Sequence, residues 1–293
     1  MDGVIVIDKP AGCTSHDVVN RVRRLAGTRR VGHLGTLDPL ATGVLPLMIG
    51  RATRLARFLE GGTKRYQAVV RFGWSTSTYD REGEKISEPV EPAFSREDLE
   101  THLNDFRGTF EQTPPPVSAK KIGGVPAYKL VRQQVSFELK PVQVTIYSLE
   151  LDSFDGMTAH ISLHCSSGTY VRAIAHDLGQ RLGCGAFVDA LRRTASGDFI
   201  EEEARTLDEL ARLAEEQRLA EIVIPGAQLL PQFPSEFVDA LTEGQIRQGR
   251  DFRVSPFRVK SGSRYVKALS RGGELIAIGE AKLPHLFHPV LVM

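Results

Sequence analysis

The chain has 293 residues, 41% hydrophobic and 25% charged, which gives it the apolar content of a folded protein with a sizeable core and excludes a disordered chain. Its three cysteines, Cys13, Cys165 and Cys184, are odd in number and lack CxxC spacing, which argues against a disulfide framework or a zinc site. The net charge of +1 hides an asymmetry: residues 1–72 hold twelve Lys/Arg against five Asp/Glu, and the remaining 221 hold 25 against 31. A basic N-terminal third suits a polyanion, nucleic acid above all, or is simply a solvated face; charge alone does not choose. The opening MDGVIVIDKP lacks the layout of a signal peptide, and no apolar run approaches the roughly 20 residues that span a bilayer, so a cytoplasmic protein is expected.

Val4-Ile5-Val6-Ile7 reads as a buried strand, and Asp8 to Gly12 as a turn. Ser15 is placed to cap a helix through Ala26, with Val18, Val19, Val22 and Leu25 on one face and arginines on the rest. Gly32 to Gly43 reads as a loop, Ala52 to Glu60 as a second amphipathic helix and Tyr66 to Gly73 as a strand. Ser95 should cap a helix over residues 97–106, and Thr113-Pro-Pro-Pro116 must be extended. The basic, glycine-bearing stretch Ser118 to Gly124 reads as a mobile loop. Residues 141–152 and 157–165 pair as strands about an Asp155-Gly156 turn, 170–182 and 206–222 are helical, and the prolines between Ile224 and Pro234 mark a domain boundary. Beyond it, short apolar runs at 252–254, 265–269, 275–278 and 290–293 suggest a small β-barrel with nine basic and six acidic residues. The whole is α+β, a mixed and mainly antiparallel sheet with flanking helices followed by that barrel, dividing as 1–233 and 234–293.

No P-loop, HExxH, zinc-deaminase or GxSxG signature occurs. What remains is the loop GHLGTLDPLATG over residues 32–43, a lone acid, Asp38, in a glycine-framed segment of the most basic region. Pro39 restricts Asp38 to extended geometry, and the glycines let a bulky ligand approach the backbone. Considered alone, an Asp-Pro pair is better explained by an Asx turn or a helix cap. Lys64-Arg65-Tyr66 and Gly168-Thr169-Tyr170-Val171-Arg172 add an aromatic beside a cation at a strand start and at a strand-to-helix junction. Individually these are ordinary surface or half-buried residues; together they are what a flipped nucleobase needs, a nucleophile, an aromatic face and a charge partner.

Six segments, DKPAGCTSHDVV (8–19), GHLGTLDPLATGVLPL (32–47), TKRYQAVVRFG (63–73), PPPVSAKKIGGVPAYKLVR (114–132), SSGTYVRAIAHDLG (166–179) and LRRTASGDF (191–199), follow in order. In them the chain resembles the bacterial TruB family of tRNA pseudouridine synthases over nearly its whole length. The resemblance implies a pseudouridine synthase core, and for the tail a PUA-like RNA-binding barrel. It implies Asp38 as catalytic aspartate, Tyr66 packed on the target base, Arg172 paired with Asp38, His33 in base flipping, Tyr170 and Leu191 lining the uridine pocket, and Asp80 as an acid near the arginine. It further implies isomerisation of uridine 55 in the T-stem-loop of tRNA by a monomer that needs no cofactor, metal or protein partner. Ser77, where many relatives carry an acid, and Ala119-Lys120-Lys121 depart from the family pattern. A non-catalytic RNA-binding or RNA-chaperone protein, and a guide-RNA-dependent relative of the same family, are the alternatives. Arg192, and basic residues in 21–30 and 51–65, are expected to contact RNA phosphates.

Overall fold

The computed structural model describes residues 1–118, 120–133, 135–260 and 262–293. Its strands are β1 (Gly3–Lys9), β2 (Val31–His33), β3 (Thr42–Ile49), β4 (Lys64–Phe72), β5 (Gly108–Gln112), β6 (Lys121–Ile122), β7 (Val125–Pro126), β8 (Val142–Phe154), β9 (Thr158–Cys165), β10 (Ala186–Ser196), β11 (Phe199–Ile200) and β12 (Ile224–Pro225). The tail adds β13 (Ser235–Phe237), β14 (Phe252–Arg253), β15 (Tyr265–Leu269), β16 (Leu275–Leu283) and β17 (Leu286–Val292). The helices are α1 (Ser15–Leu25), α2 (Ala56–Leu59), α3 (Arg96–Asn104), α4 (Ala127–Arg132), α5 (Val171–Arg181), α6 (Leu207–Glu215) and α7 (Ala240–Arg247). Among the described residues no helix is long and apolar enough to cross a membrane.

The large sheet runs β12-β1-β3-β10-β4-β9-β8-β5, antiparallel except where β10 meets β3 in parallel. The unbroken VIVI run of β1 has a simple cause: the sheet is covered on both faces. Side chains alternate across the strand, so Ile5 and Ile7 enter one core with Val18, Val19 and Val22 of α1 and Ile174 and Leu178 of α5. Val4 and Val6 point the other way, into a second core with Leu269, Leu275 and Leu291 of the tail. Strand β3 divides likewise, with Leu45, Leu47 and Ile49 in the first core and Val44 and Met48 in the second. The tail forms its own curled sheet, β13-β15-β16-β17-β14, around Ile246, Val266, Ile276 and Phe287, the barrel-like unit expected from its spacing. The fold is thus α+β with a mixed, mainly antiparallel sheet.

Several boundaries differ from expectation. The cap of α1 is Thr14, in a capping box with Asp17, and Ser15 lies inside the helix. The expected helix at 52–60 is a 3-10 turn (Gly50–Leu55) followed by the single turn of α2. The stretch read as a mobile loop from Ser118 is, beyond Ala119, the hairpin β6–β7 and then α4; Ala119 itself lies outside the described residues. Gly123 and Gly124 both have positive φ, the backbone that a two-residue hairpin turn demands. The long acidic helix ends at Glu215, where Gln217 turns left-handed and the Arg218 amide donates back to the Leu213 carbonyl, and a separate 3-10 turn follows at Leu219–Ile222.

Candidate active site

The loop between β2 and β3 carries Asp38, and three polar side chains suspend it. Lys9, wholly buried at the end of β1, donates from Nζ to the carbonyls of Pro39 (3.2 Å), Ala41 (2.7 Å) and Pro10 (2.8 Å). Ser15 Oγ accepts from the Leu37 amide at 2.8 Å and lies 3.1 Å from the Leu37 carbonyl. Arg193, 1% exposed, donates to the carbonyls of Val44 (2.8 Å) and Gly35 (3.1 Å). Buried cations are tolerated here because backbone oxygens replace their water. Burial pushes the Lys9 ammonium down from its usual value. Gly43, at φ +97°, permits the parallel contact with β10, since a Cβ there would lie 2.3 Å from the Arg193 carbonyl oxygen.

Arg172, in the first turn of α5, faces Asp38 edge-on: Nε to Oδ2 is 2.9 Å and Nη2 to Oδ1 3.1 Å. Its other donors reach the Val117 carbonyl (3.0 Å), the Thr78 carbonyl (2.6 Å) and Asp80 Oδ2 (3.4 Å). Two acids therefore share one guanidinium, and burial separates them. The Asp38 side chain is 33% exposed, whereas that of Asp80 is 5% exposed. Asp80 also accepts from the Thr78 hydroxyl (2.6 Å) and the Glu82 amide (3.0 Å). Burial raises its carboxyl above the usual range, against the pull of Thr78 and Arg172.

Asp38 opens into a cleft of about 540 Å³, whose walls include His33, Tyr66, Tyr170, Arg172 and Leu191. That size lies within the roughly 300–1,000 Å³ typical of ligand pockets. Six of the seven site residues expected from the sequence thus line one cavity, and the seventh, Asp80, stands behind Arg172. Burial raises the Tyr66 phenol, so it stays protonated at neutral pH and offers a ring face and a donor. Burial lowers His33, with Arg193 and His16 adding to the effect, so its imidazole is neutral. Burial also raises Tyr170, whose backbone is bracketed by Gln112: Nε2 donates to the Tyr170 carbonyl (3.0 Å) and Oε1 accepts from its amide (2.8 Å).

The expected phosphate contacts fare differently. Arg192 is tied to Asp8 by two bonds (3.0 and 3.1 Å) and to Glu201 (3.1 Å). Arg21 pairs with Asp208 and Arg51 with Asp2, while Arg54 and Arg57 donate to the carbonyls of Val292 and Val290. These guanidinium groups already have partners within the chain, whereas a phosphate contact would have to share or displace them. Arg24, Arg29, Arg30 and Arg65 are exposed.

The chain matches the family described as TruB family pseudouridylate synthase (N terminal domain) over residues 23–171, and the tRNA pseudouridylate synthase B C-terminal domain over residues 172–230. It is 59% identical, over all of both chains, to a protein of Solibacter usitatus named tRNA pseudouridine synthase B. This chain belongs to the TruB family of pseudouridylate synthases. Membership makes it an enzyme of the isomerase class. A relative of the same name from Aquifex aeolicus is 40% identical over 96% of each chain. Among solved structures, an H/ACA RNP bound to a substrate RNA containing 2′-deoxyuridine superposes with a TM-score of 0.73 at 23% identity, covering 99% of this chain and 85% of that one. That likeness speaks for the fold.

Lys9, Gln112 and Arg193 carry geometry to which the sequence alone assigned no role, and Lys64, expected among the phosphate contacts, lines the cleft itself. A signal existed for Lys9, the lone cation closing a strand that opens on the apolar run Val4–Ile7. Arg193 had none, because its neighbour Arg192 made the pair look like a surface patch.

Proposed function

We propose that this protein converts uridine 55 in the T-loop of tRNA to pseudouridine, with Asp38 as the covalent nucleophile. The relatives' name, tRNA pseudouridine synthase B, supports the substrate class. The observation that carries the chemistry is the accessible Asp38 carboxylate, gripped bidentately by a buried arginine on the floor of an aromatic cleft.

The reaction breaks the N1–C1′ bond, turns the uracil and joins C5 to C1′, so no atom is gained or lost. A carboxylate can make a covalent intermediate at the sugar or at the base, or act through a glycal; all three routes use the same residue. The target base first leaves the stack, at about a few kcal/mol. His33, at the cleft wall, is suited to fill the space it vacates. Tyr66 stacks on the uracil, Tyr170 and Leu191 wall its pocket, Arg172 orients Asp38, and Asp80 holds Arg172 from behind. Lys64, exposed arginines and residues 234–293, as an RNA-binding unit beside the catalytic residues 1–233, supply phosphate contacts. The enzyme acts as a monomer without cofactor or protein partner.

The test is incubation of the purified protein alone with unmodified tRNA transcript, followed by mapping of pseudouridine. Conversion at position 55 is expected. Asp38→Asn should bind within a few-fold of wild type yet lose more than about 10²-fold in rate, the lower bound of general acid–base help. A folded Asp38→Asn protein above that rate removes the nucleophile assignment. A requirement for added guide RNA favours the guide-dependent alternative.

A further inference from the structure

We infer that the stacked pair Tyr79–His176 is a positioning device: it locks the loop over residues 76–82 against α5, so that Arg172 presents one fixed edge to Asp38. The inference rests on the reading of Asp38 as nucleophile.

The two rings lie parallel, with centroids 3.7 Å apart and planes 8° apart. His176 follows Arg172 by four residues on α5, so both project from the same helix face. Tyr79 stands between Thr78 and Asp80, the two residues that hold the far side of the Arg172 guanidinium. One ring contact therefore couples the loop's two arginine ligands to the helix that carries the arginine.

Two further observations give the stack its weight. Tyr79 has φ +63°, a left-handed backbone that a bulky side chain adopts only when its surroundings enforce it. The enforcing contacts are the turn's own bonds, Tyr79 amide to Thr76 carbonyl (3.2 Å) and Val188 amide to Tyr79 carbonyl (3.0 Å), together with the ring stack. His176 Nδ1 is buried without a hydrogen-bond partner, so a bond from that nitrogen does not explain the side chain's placement; its ring face does. Burial lowers His176, so the ring stacks uncharged at neutral pH.

The consequence for catalysis is angular. All five Arg172 donors are directed: two at Asp38, one at Val117, two at the Thr78–Asp80 segment. Release of the last two lets the planar group swing, and the carboxylate swings with it.

The experiment compares full-length His176→Ala and His176→Phe with wild type on unmodified tRNA transcript, and follows amide hydrogen exchange in the free proteins. His176→Ala should lose roughly 10–100-fold in single-turnover rate at saturating RNA, the scale of an ångström-size misplacement, with RNA affinity within about twofold. Its amides at 77–83 should exchange faster than in wild type. His176→Phe, which keeps a ring to stack, should restore rate and protection. Should His176→Ala not fold, Tyr79→Gly removes the same stack from a position whose φ glycine accepts, with the same expectation. A wild-type rate in the alanine variant, a change in affinity without a change in rate, or failure of phenylalanine to rescue would each overturn the inference. Wild-type protein that makes no pseudouridine overturns the functional reading instead, while the exchange measurement still reports on the lock.

Discussion

Arg172 is held on every side of its guanidinium, and that saturation separates it from a generic positive charge. Lysine keeps the charge but has three donors on a point-like head and cannot match a carboxylate bidentately. Arg172→Lys should therefore lose roughly 10²-fold or more in single-turnover rate with RNA affinity unchanged; a near-normal rate would show that only positive potential is needed there. Lys64 presents the opposite case. It lines the cleft, donates to the Gly62 carbonyl (3.1 Å), and is pushed down to about 8 by burial, with the Arg193 charge adding. Its folded value lies below its unfolded one, so the unfolded chain binds more protons between about pH 8 and 10.5. Across that window this group adds stability as pH rises, while the cleft loses a cation. RNA affinity should consequently fall from pH 7 to 9 in wild type but much less in Lys64→Gln, whose salt slope should be shallower by about one phosphate contact, roughly 0.7–0.9 in log–log units. Equal pH dependence in the two proteins would take Lys64 out of the RNA contact set.

At the level of elements, the capping role that the sequence gave to Ser15 belongs to its neighbour Thr14, and Ser15 has a different task. Thr14 closes the N-terminus of α1, and Ser15 ties that helix to the Asp38 loop through both polar groups of Leu37. Thr14→Ala should cost about 1 kcal/mol of stability and leave the rate alone. Ser15→Ala should cost about 1–3 kcal/mol, because buried backbone groups lose their partner, and should also slow the chemical step by loosening the loop. Urea unfolding and single-turnover kinetics read the two separately, and equal rates for both variants would remove Ser15 from the positioning set. The helix itself was legible because its valines keep helical spacing, and β1 because its residues are β-branched. Strand β10 was not anticipated. Its alternation is broken by register shifts between Val188 and Ala190 and between Arg193 and Ala195, and it buries an arginine, so residues 186–196 look neither apolar nor periodic. The Asp38–Arg172 pairing was legible only through family motifs, since 134 residues separate the partners and nothing local signals the contact.

For the whole molecule, the tail is as much a wall of the catalytic sheet as a unit of its own. Val4, Val6, Val44, Met48 and Leu55 share one core with Leu269, Leu275, Ile278 and Leu291. Phe58 packs edge-on against Phe233 and Tyr265, at 5.8 and 5.3 Å between centroids. Removal of residues 234–293, expected from the sequence only as an RNA-binding barrel, would strip these contacts from the large sheet. Exposure of five such side chains, each worth about 1.5–3 kcal/mol, rivals a typical total stability of roughly 5–15 kcal/mol. The shortened chain should therefore lose cooperative unfolding at the wild-type temperature, as read by calorimetry. A truncated protein that melts with wild type would mean the shared core adds nothing.

The same shared core dictates when this protein can be finished. Arg57 reaches a carbonyl 233 residues further along, and the outer faces of the first strands meet their partners only near the end of the chain. At about 5–20 residues per second, synthesis leaves those valines waiting for roughly 10–50 s. A nascent chain of this protein thus carries a half-covered sheet until the last strand emerges. Its folding is a closing event dominated by distant contacts, and the interval before closure is when it most needs protection from other unfinished chains.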